Sequence, residues 1–132
     1  MKGTVYLSYS GRNCEAVLQV MEHIIRGGYA LVCDCMLPAS ESFEGRVSRG
    51  VTQADLVAAV ITEDAKDCPY MARELEIAFV QKKRVLPVVV GEAQLPDAFT
   101  LRLQNCISVS DFPTEAEMAA VMAGITKQCG RE

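Results

Sequence analysis

Short apolar runs alternate with stretches of helical period along the whole chain. Thr4-Val5-Tyr6-Leu7-Ser8 reads as a first strand, and Tyr9-Ser10-Gly11-Arg12-Asn13 as the loop after it. Cys14, Val17, Leu18, Met21, Ile24 and Ile25 then recur at helical spacing, which predicts one buried helix face. Gly27-Gly28 ends that helix. Tyr29-Ala30-Leu31-Val32-Cys33 reads as a second strand, followed by Asp34. Residues 35–46 read as a long loop, after which Val47, Val51 and Ala54 take helical spacing. Leu56-Val57-Ala58-Ala59-Val60-Ile61 has no alternation, as in a central strand covered on both faces. Pro69 opens a third helix, whose stripe is Met71, Leu75, Ala78 and Phe79. Val85 to Val90 form a fourth strand closed by Gly91; Pro87 is expected near an end or on a locally unpaired edge. Residues 95–105 read as a short helix or an ordered loop, and Cys106-Ile107-Ser108-Val109 as a fifth strand. Thr114 and Glu117 have the spacing of a capping box, ahead of a last helix buried through Met118, Val121, Met122 and Ile125.

This alternation implies right-handed crossovers and an α/β three-layer sandwich with helices on both faces of a parallel sheet. Five strands fit the flavodoxin-like order 2-1-3-4-5. Ligands of such sheets bind beyond the carboxyl ends of the strands, near the switch in strand order. That rule singles out the segments after Leu7, Cys33 and Ile61.

At 132 residues the chain suits a single domain, residues 1–132. Half of it is apolar and 23% is charged, which excludes intrinsic disorder. A net charge of -4 argues against a nucleic-acid surface. No apolar run reaches the ~20 residues of a membrane span, and the N-terminus lacks the apolar stretch of a signal peptide. A cytoplasmic domain without membrane contact is expected. The six cysteines include no C-x-x-C pair, and reduced structural thiols are expected; Cys33 and Cys106 lie in or beside apolar runs. The lone histidine, His23, beside Glu22, is expected to be exposed, and no metal site is expected.

The chain has no phosphate-binding loop, no G-x-G-x-x-G and no G-x-S-x-G elbow. Its first strand ends Leu7-Ser8-Tyr9-Ser10, without the acidic pair of a phosphoacceptor site. Glu74 is the sharper clue. It borders the buried stripe of the third helix, and Tyr70, four residues earlier, can project to the same side. An acid beside an aromatic ring at a cleft edge is a plausible ligand-binding pair; the plainer alternative is a solvated glutamate next to a packing tyrosine. Glu76 reads as solvated. Asp34 suits local hydrogen bonding of the following loop better than catalysis. Lys82-Lys83-Arg84 reads as a solvated cationic cap on the third helix.

Over nearly its whole length the chain resembles a Toll/interleukin-1 receptor (TIR) domain. Val5-Tyr6-Leu7-Ser8-Tyr9-Ser10 is similar to the family's first-strand motif, and Gly28 to Asp34 to its second strand. Residues 35–46 resemble its BB loop, ending in Ser42-Phe43-Glu44-Gly45-Arg46-Val47. Pro69-Tyr70-Met71-Ala72-Arg73-Glu74-Leu75 resembles the segment with an aromatic four residues before a glutamate, and Val85-Leu86-Pro87-Val88-Val89 the proline-containing fourth strand. In the family's NAD+-cleaving branch that glutamate is essential, which implies Glu74 as the catalytic residue. The resemblance further implies substrate contacts by Tyr70 and Phe43, by Ser10, Gly11 and Arg12 after the first strand, and by Asp34. Tyrosine stands at position 70 in place of the more usual tryptophan, and Ser10-Gly11 in place of a basic pair that some animal members carry.

The resemblance implies an NAD+ nucleosidase giving ADP-ribose or a cyclic isomer in immune or cell-death signalling. NAD+ would be a substrate, with no cofactor. The expected partners are other TIR domains, met through residues 35–46. The alternative is a non-catalytic TIR scaffold. A smaller share goes to nucleoside deoxyribosyltransferase-like enzymes, which pair a related fold with a catalytic glutamate. The length is short for a complete signalling protein, so a sensing or oligomerising module elsewhere in a longer chain is expected.

Overall fold

The computed structural model describes residues 2–9, 15–33, 42–63, 65, 68–94 and 106–129. Strands β1 (Thr4–Tyr9), β2 (Ala30–Val32), β3 (Leu56–Ile61), β4 (Val85–Val90) and β5 (Ile107–Val109) form one parallel sheet in the order β2-β1-β3-β4-β5. The described helices are α1 (Glu15–Arg26), α2 (Phe43–Gln53), α3 (Pro69–Val80) and α4 (Glu115–Cys129). This is the flavodoxin-like arrangement that the alternation predicts. No helix among the described residues is long and apolar enough to cross a membrane.

The sheet separates two apolar layers. Val5 and Leu7 of β1 enter one, with α1 and α4 through Val17, Val20, Ile24, Met118, Val121 and Ile125. Tyr6 enters the other, with α2 and α3 through Val47, Val51, Met71, Leu75 and Ala78. β3 feeds both layers by alternation, and all six of its residues are buried, which accounts for its unbroken apolar run. Pro87 lies one residue before β5 begins to pair, at Val88 with Ile107, so its missing donor falls where that ladder has not yet opened. Gly124 marks a close approach: a Cβ there would come within 2.9 Å of Ile107 Cδ1.

The buried face of α1 differs from the spacing-based expectation. It is Ala16, Val17, Val20 and Ile24, while Leu18 and Ile25 are 57% and 58% exposed. Ala16 and Val20 let the helix lie close to the sheet, and this turns the longer side chains outward. His23 is half-buried rather than exposed, with Nδ1 2.8 Å from the Gln19 carbonyl oxygen. Cys33 is buried, whereas Cys106, although beside β5, is exposed.

Helix ends follow the rules for satisfying orphan backbone groups. After α1, Gly28 takes φ +94°, its N–H bonds the Ile25 carbonyl, and the Tyr29 N–H reaches back to Ile24, a Schellman motif. The same motif closes α3, but with Lys82 at φ +61° in the glycine position; the Lys82 and Lys83 N–H groups bond Phe79 and Ala78. Lys82 and Arg84 are exposed, as a solvated run predicts, but the run does not serve α3 alone. Lys83 Nζ donates to the Thr52 and Ala54 carbonyls at the end of α2, and Arg84 donates to the Gln128 carbonyl near the end of α4. The capping box of α4 is present: the Thr114 N–H donates to Glu117 Oε1 at 3.0 Å, and the Glu117 N–H to Thr114 Oγ1 at 3.1 Å.

Two outcomes are expected. The Thr114 N–H, then the Ser110 N–H and hydroxyl, hold the Glu117 carboxyl below its ordinary value. Stability from a depressed carboxylate is present above the unfolded value and is lost as pH falls through the folded one. Glu117→Gln keeps a capping acceptor but removes the proton linkage, so its melting temperature should fall less steeply below the ordinary glutamate range; equal slopes would sink the linkage. Second, Lys82→Gly removes left-handed strain of about 1 kcal/mol, partly offset by a freer unfolded chain. The urea midpoint should rise, and a lower midpoint would contradict it.

Candidate functional site

Alternation along β1 sends Tyr6 and Ser8 to one face of the sheet, the face that α3 covers. Both residues are fully buried. Glu74 descends from α3 onto them. Tyr6 Oη donates to its Oε2 at 2.8 Å, and Ser8 Oγ donates to its Oε1 at 2.7 Å. Glu74 is only 6% exposed, so it lies within the buried stripe of α3 beside Met71, Leu75 and Ala78, not at its border. A carboxylate taken out of water requires such donors to offset its lost hydration. The residue paired with Ser8 across the β1–β3 ladder is Ala59, which puts only a methyl group beside the carboxylate. No buried side-chain nitrogen or oxygen among the described residues lacks a hydrogen-bond partner.

Tyr70, one turn nearer the start of α3, is 67% exposed. Its ring meets Phe43 edge-on, with centroids 5.4 Å apart and planes at 64°. Phe43 is the first residue of α2, capped by Ser42, whose Oγ accepts the Gly45 N–H. The segment Phe43 to Arg46 is therefore helical, not the end of a loop, because the Ser42 cap starts the helix four residues before Val47. The Arg46 guanidinium lies 5.8 Å from the Phe43 ring centroid, and Glu44 pairs with Arg73 across the helices. Both helices start after strand ends, which places the aromatic pair at the carboxyl edge of the sheet. There the strand order reverses between β1 and β3, and α/β sheets take their ligands at such a point. Helix N-termini on that edge favour anionic groups.

Of the residues picked from sequence, the fold thus brings Phe43 against Tyr70 and places Glu74 one turn along the same helix. Ser10, Gly11, Arg12, Asp34 and residues 35–41 lie outside the described residues. Sequence reasoning missed Tyr6 and Ser8 as partners of Glu74. The available signal was a row of hydroxyl side chains, Thr4, Tyr6 and Ser8, at i, i+2 and i+4 along β1. It also missed Arg46 and the Glu44–Arg73 pair. Glu76 is exposed as expected. A groove of about 580 Å³ follows the seam of α2 and α3 from Glu44 and Arg73 past Ser48, Ile77 and Gln81; Glu74, Tyr70 and Phe43 do not line it. Among the described residues, no three His, Cys, Asp or Glu side chains are grouped to hold a metal ion.

Removing the carboxylate should cost stability before it affects anything else. Glu74→Ala leaves two buried hydroxyls without their acceptor and is expected to lose about 1–3 kcal/mol in urea unfolding. Glu74→Gln keeps an acceptor and the volume, and should lose less. Equal losses in the two variants would mean that the hydroxyl contacts contribute little.

The family model for the TIR domain matches residues 5–122. No curated protein matches the chain. Among solved structures, the TIR domain of the Toll-related receptor TRR-2 from Hydra magnipapillata superimposes with a TM-score of 0.73 at 11% identity, covering 95% of this chain and 96% of that one. Era from Aquifex aeolicus, bound to GDP and AlF4−, gives 0.61 at 10% identity over 98% of this chain, which spans 57% of the Era chain. An NADH:FMN oxidoreductase, EMOB, gives 0.60 at 9% identity over 96% of this chain and 88% of its own. At these identities the likenesses show a shared fold alone. The match over residues 5–122 shows more: the chain belongs to the TIR-domain family.

Proposed function

We propose that this domain is an NAD+ nucleosidase that breaks the bond between nicotinamide and ribose. The reading rests on one observation: a buried carboxylate, Glu74, stands at the ligand-binding edge of the sheet, one turn along α3 from the Tyr70–Phe43 ring pair. The nicotinamide of NAD+ is cationic and leaves neutral, taking both electrons of the C1′–N bond, so no acid has to protonate it. Positive charge then develops on the ribose. A carboxylate beside it stabilises that centre, as in glycoside hydrolysis. Water adding at C1′ and losing a proton gives ADP-ribose; attack by the adenine or a ribose hydroxyl gives a cyclic isomer. Tyr70 and Phe43 offer aromatic faces to a base. Ser10, Gly11, Arg12 and Asp34 would complete the substrate contacts. No cofactor takes part, since NAD+ is itself consumed.

The setting proposed is cytoplasmic immune or cell-death signalling. Self-association with other TIR domains through residues 35–46 would support activity, without nucleic-acid or membrane contact. One observation favours a second reading. A carboxylate only 6% exposed and held by two hydroxyls also suits a purely structural tie, and the domain would then be a non-catalytic TIR scaffold.

Nicotinamide release from NAD+, followed by chromatography over a wide range of protein concentration with a crowding agent, separates the two. Wild type should release nicotinamide, and Glu74→Gln should lose at least about 100-fold of the rate. Silence from folded wild type at every concentration would establish the scaffold reading.

A further inference from the structure

We infer that Tyr6 and Ser8 are positioning residues for Glu74, setting the rotamer in which its carboxyl group meets the substrate; this rests on the nucleosidase reading. The two hydroxyls approach different oxygens, at 2.8 and 2.7 Å, from one strand. A glutamate side chain with one oxygen tied can still rotate about its last bond. With both tied to β1 it cannot, and the remaining lone pairs keep a fixed direction. A charge held in place before the reaction needs no reorganisation as the ribose becomes positive. Tyr6 and Ser8 are both fully buried, so they act through Glu74 and do not touch substrate.

The test measures kcat and KM for nicotinamide release by Tyr6→Phe, Ser8→Ala and the double variant, each confirmed folded by its melting curve. Each single change should lower kcat about tenfold with KM within about twofold, and Ser8→Thr, which restores a hydroxyl, should recover most of the rate. A purely structural pair would lower the melting temperature and leave kcat per folded molecule unchanged; that result overturns the inference. A double-mutant cycle between Tyr6→Phe and Glu74→Ala, which removes the acceptor, read by urea unfolding, needs no activity and should show coupling. Its absence also overturns the inference. If the cycle shows coupling while wild type releases no nicotinamide, the nucleosidase reading has failed and the tie is structural. That outcome differs from active wild type with equally active variants, where only the positioning role has failed.

Discussion

A carboxyl group in an apolar layer constrains the groups packed around it. Glu74 cannot remain buried unless two donors meet it, and those donors come from a strand on the opposite side of the α2–α3 layer. Tyr6 and Ser8 must therefore keep their face of the sheet. A one-residue slip of β1 would turn them into the α1–α4 layer and send Val5 and Leu7 beneath the carboxylate. The small Ala59 must stand beside Ser8, and α3 must hold its rotation and depth. Register, strand order and helix placement are all coupled to one pair of hydrogen bonds. An apolar residue at position 74 would tolerate far looser packing.

The two edges of the sheet are built differently. At the edge where α2 and α3 end, carbonyls are tied off internally. Lys83 closes α2, Arg84 reaches α4, and Lys82 accepts a left-handed conformation so that α3 can turn back at once into β4. Lys83 and Arg84 also enter β4, so the cations lie where three helix C-termini converge. At the edge where α2 and α3 begin, the Ser42 hydroxyl satisfies Gly45, while Cys68 gives α3 no side-chain cap and Pro69 dispenses with one donor. An exposed tyrosine and a half-buried phenylalanine meet there. Among the described residues these ties gather at the amino edge of the sheet, opposite the carboxyl edge where the aromatic pair lies.

Much of this was legible in the sequence for a local reason. β3 shows as an unbroken apolar run, α3 by its proline, and α4 by a capping box made of residues three apart. What failed depended on contacts distant in sequence. Leu18 fits the apolar period of α1 as well as Val20 does, and only the closeness of the sheet decides which one is buried. The start of α2 at Phe43 depends on the Ser42 cap, a signal obscured by a second serine, Ser40, two residues earlier in the loop. Lys83 was read against its own helix because the carbonyls it meets lie about thirty residues earlier in the chain.

The candidate site divides along the same line. Tyr70 and Glu74 stand four apart on one helix, so the pairing of an aromatic with an acid could be read from spacing; their different exposures could not. Phe43 required the fold to bring α2 against α3. The partners of Glu74 lie 68 and 66 residues away, and within the first strand they look like ordinary members of a β segment. An acid on a buried helix face nevertheless poses a question that the sequence can answer in part: some polar side chain opposite must receive it. In β1 the hydroxyls at positions 4, 6 and 8 share a face, and the two nearer its carboxyl end meet Glu74. A buried carboxylate therefore identifies its own supporting residues once the strand beneath it is known, and the chemistry proposed for Glu74 depends as much on β1 as on the helix that carries it.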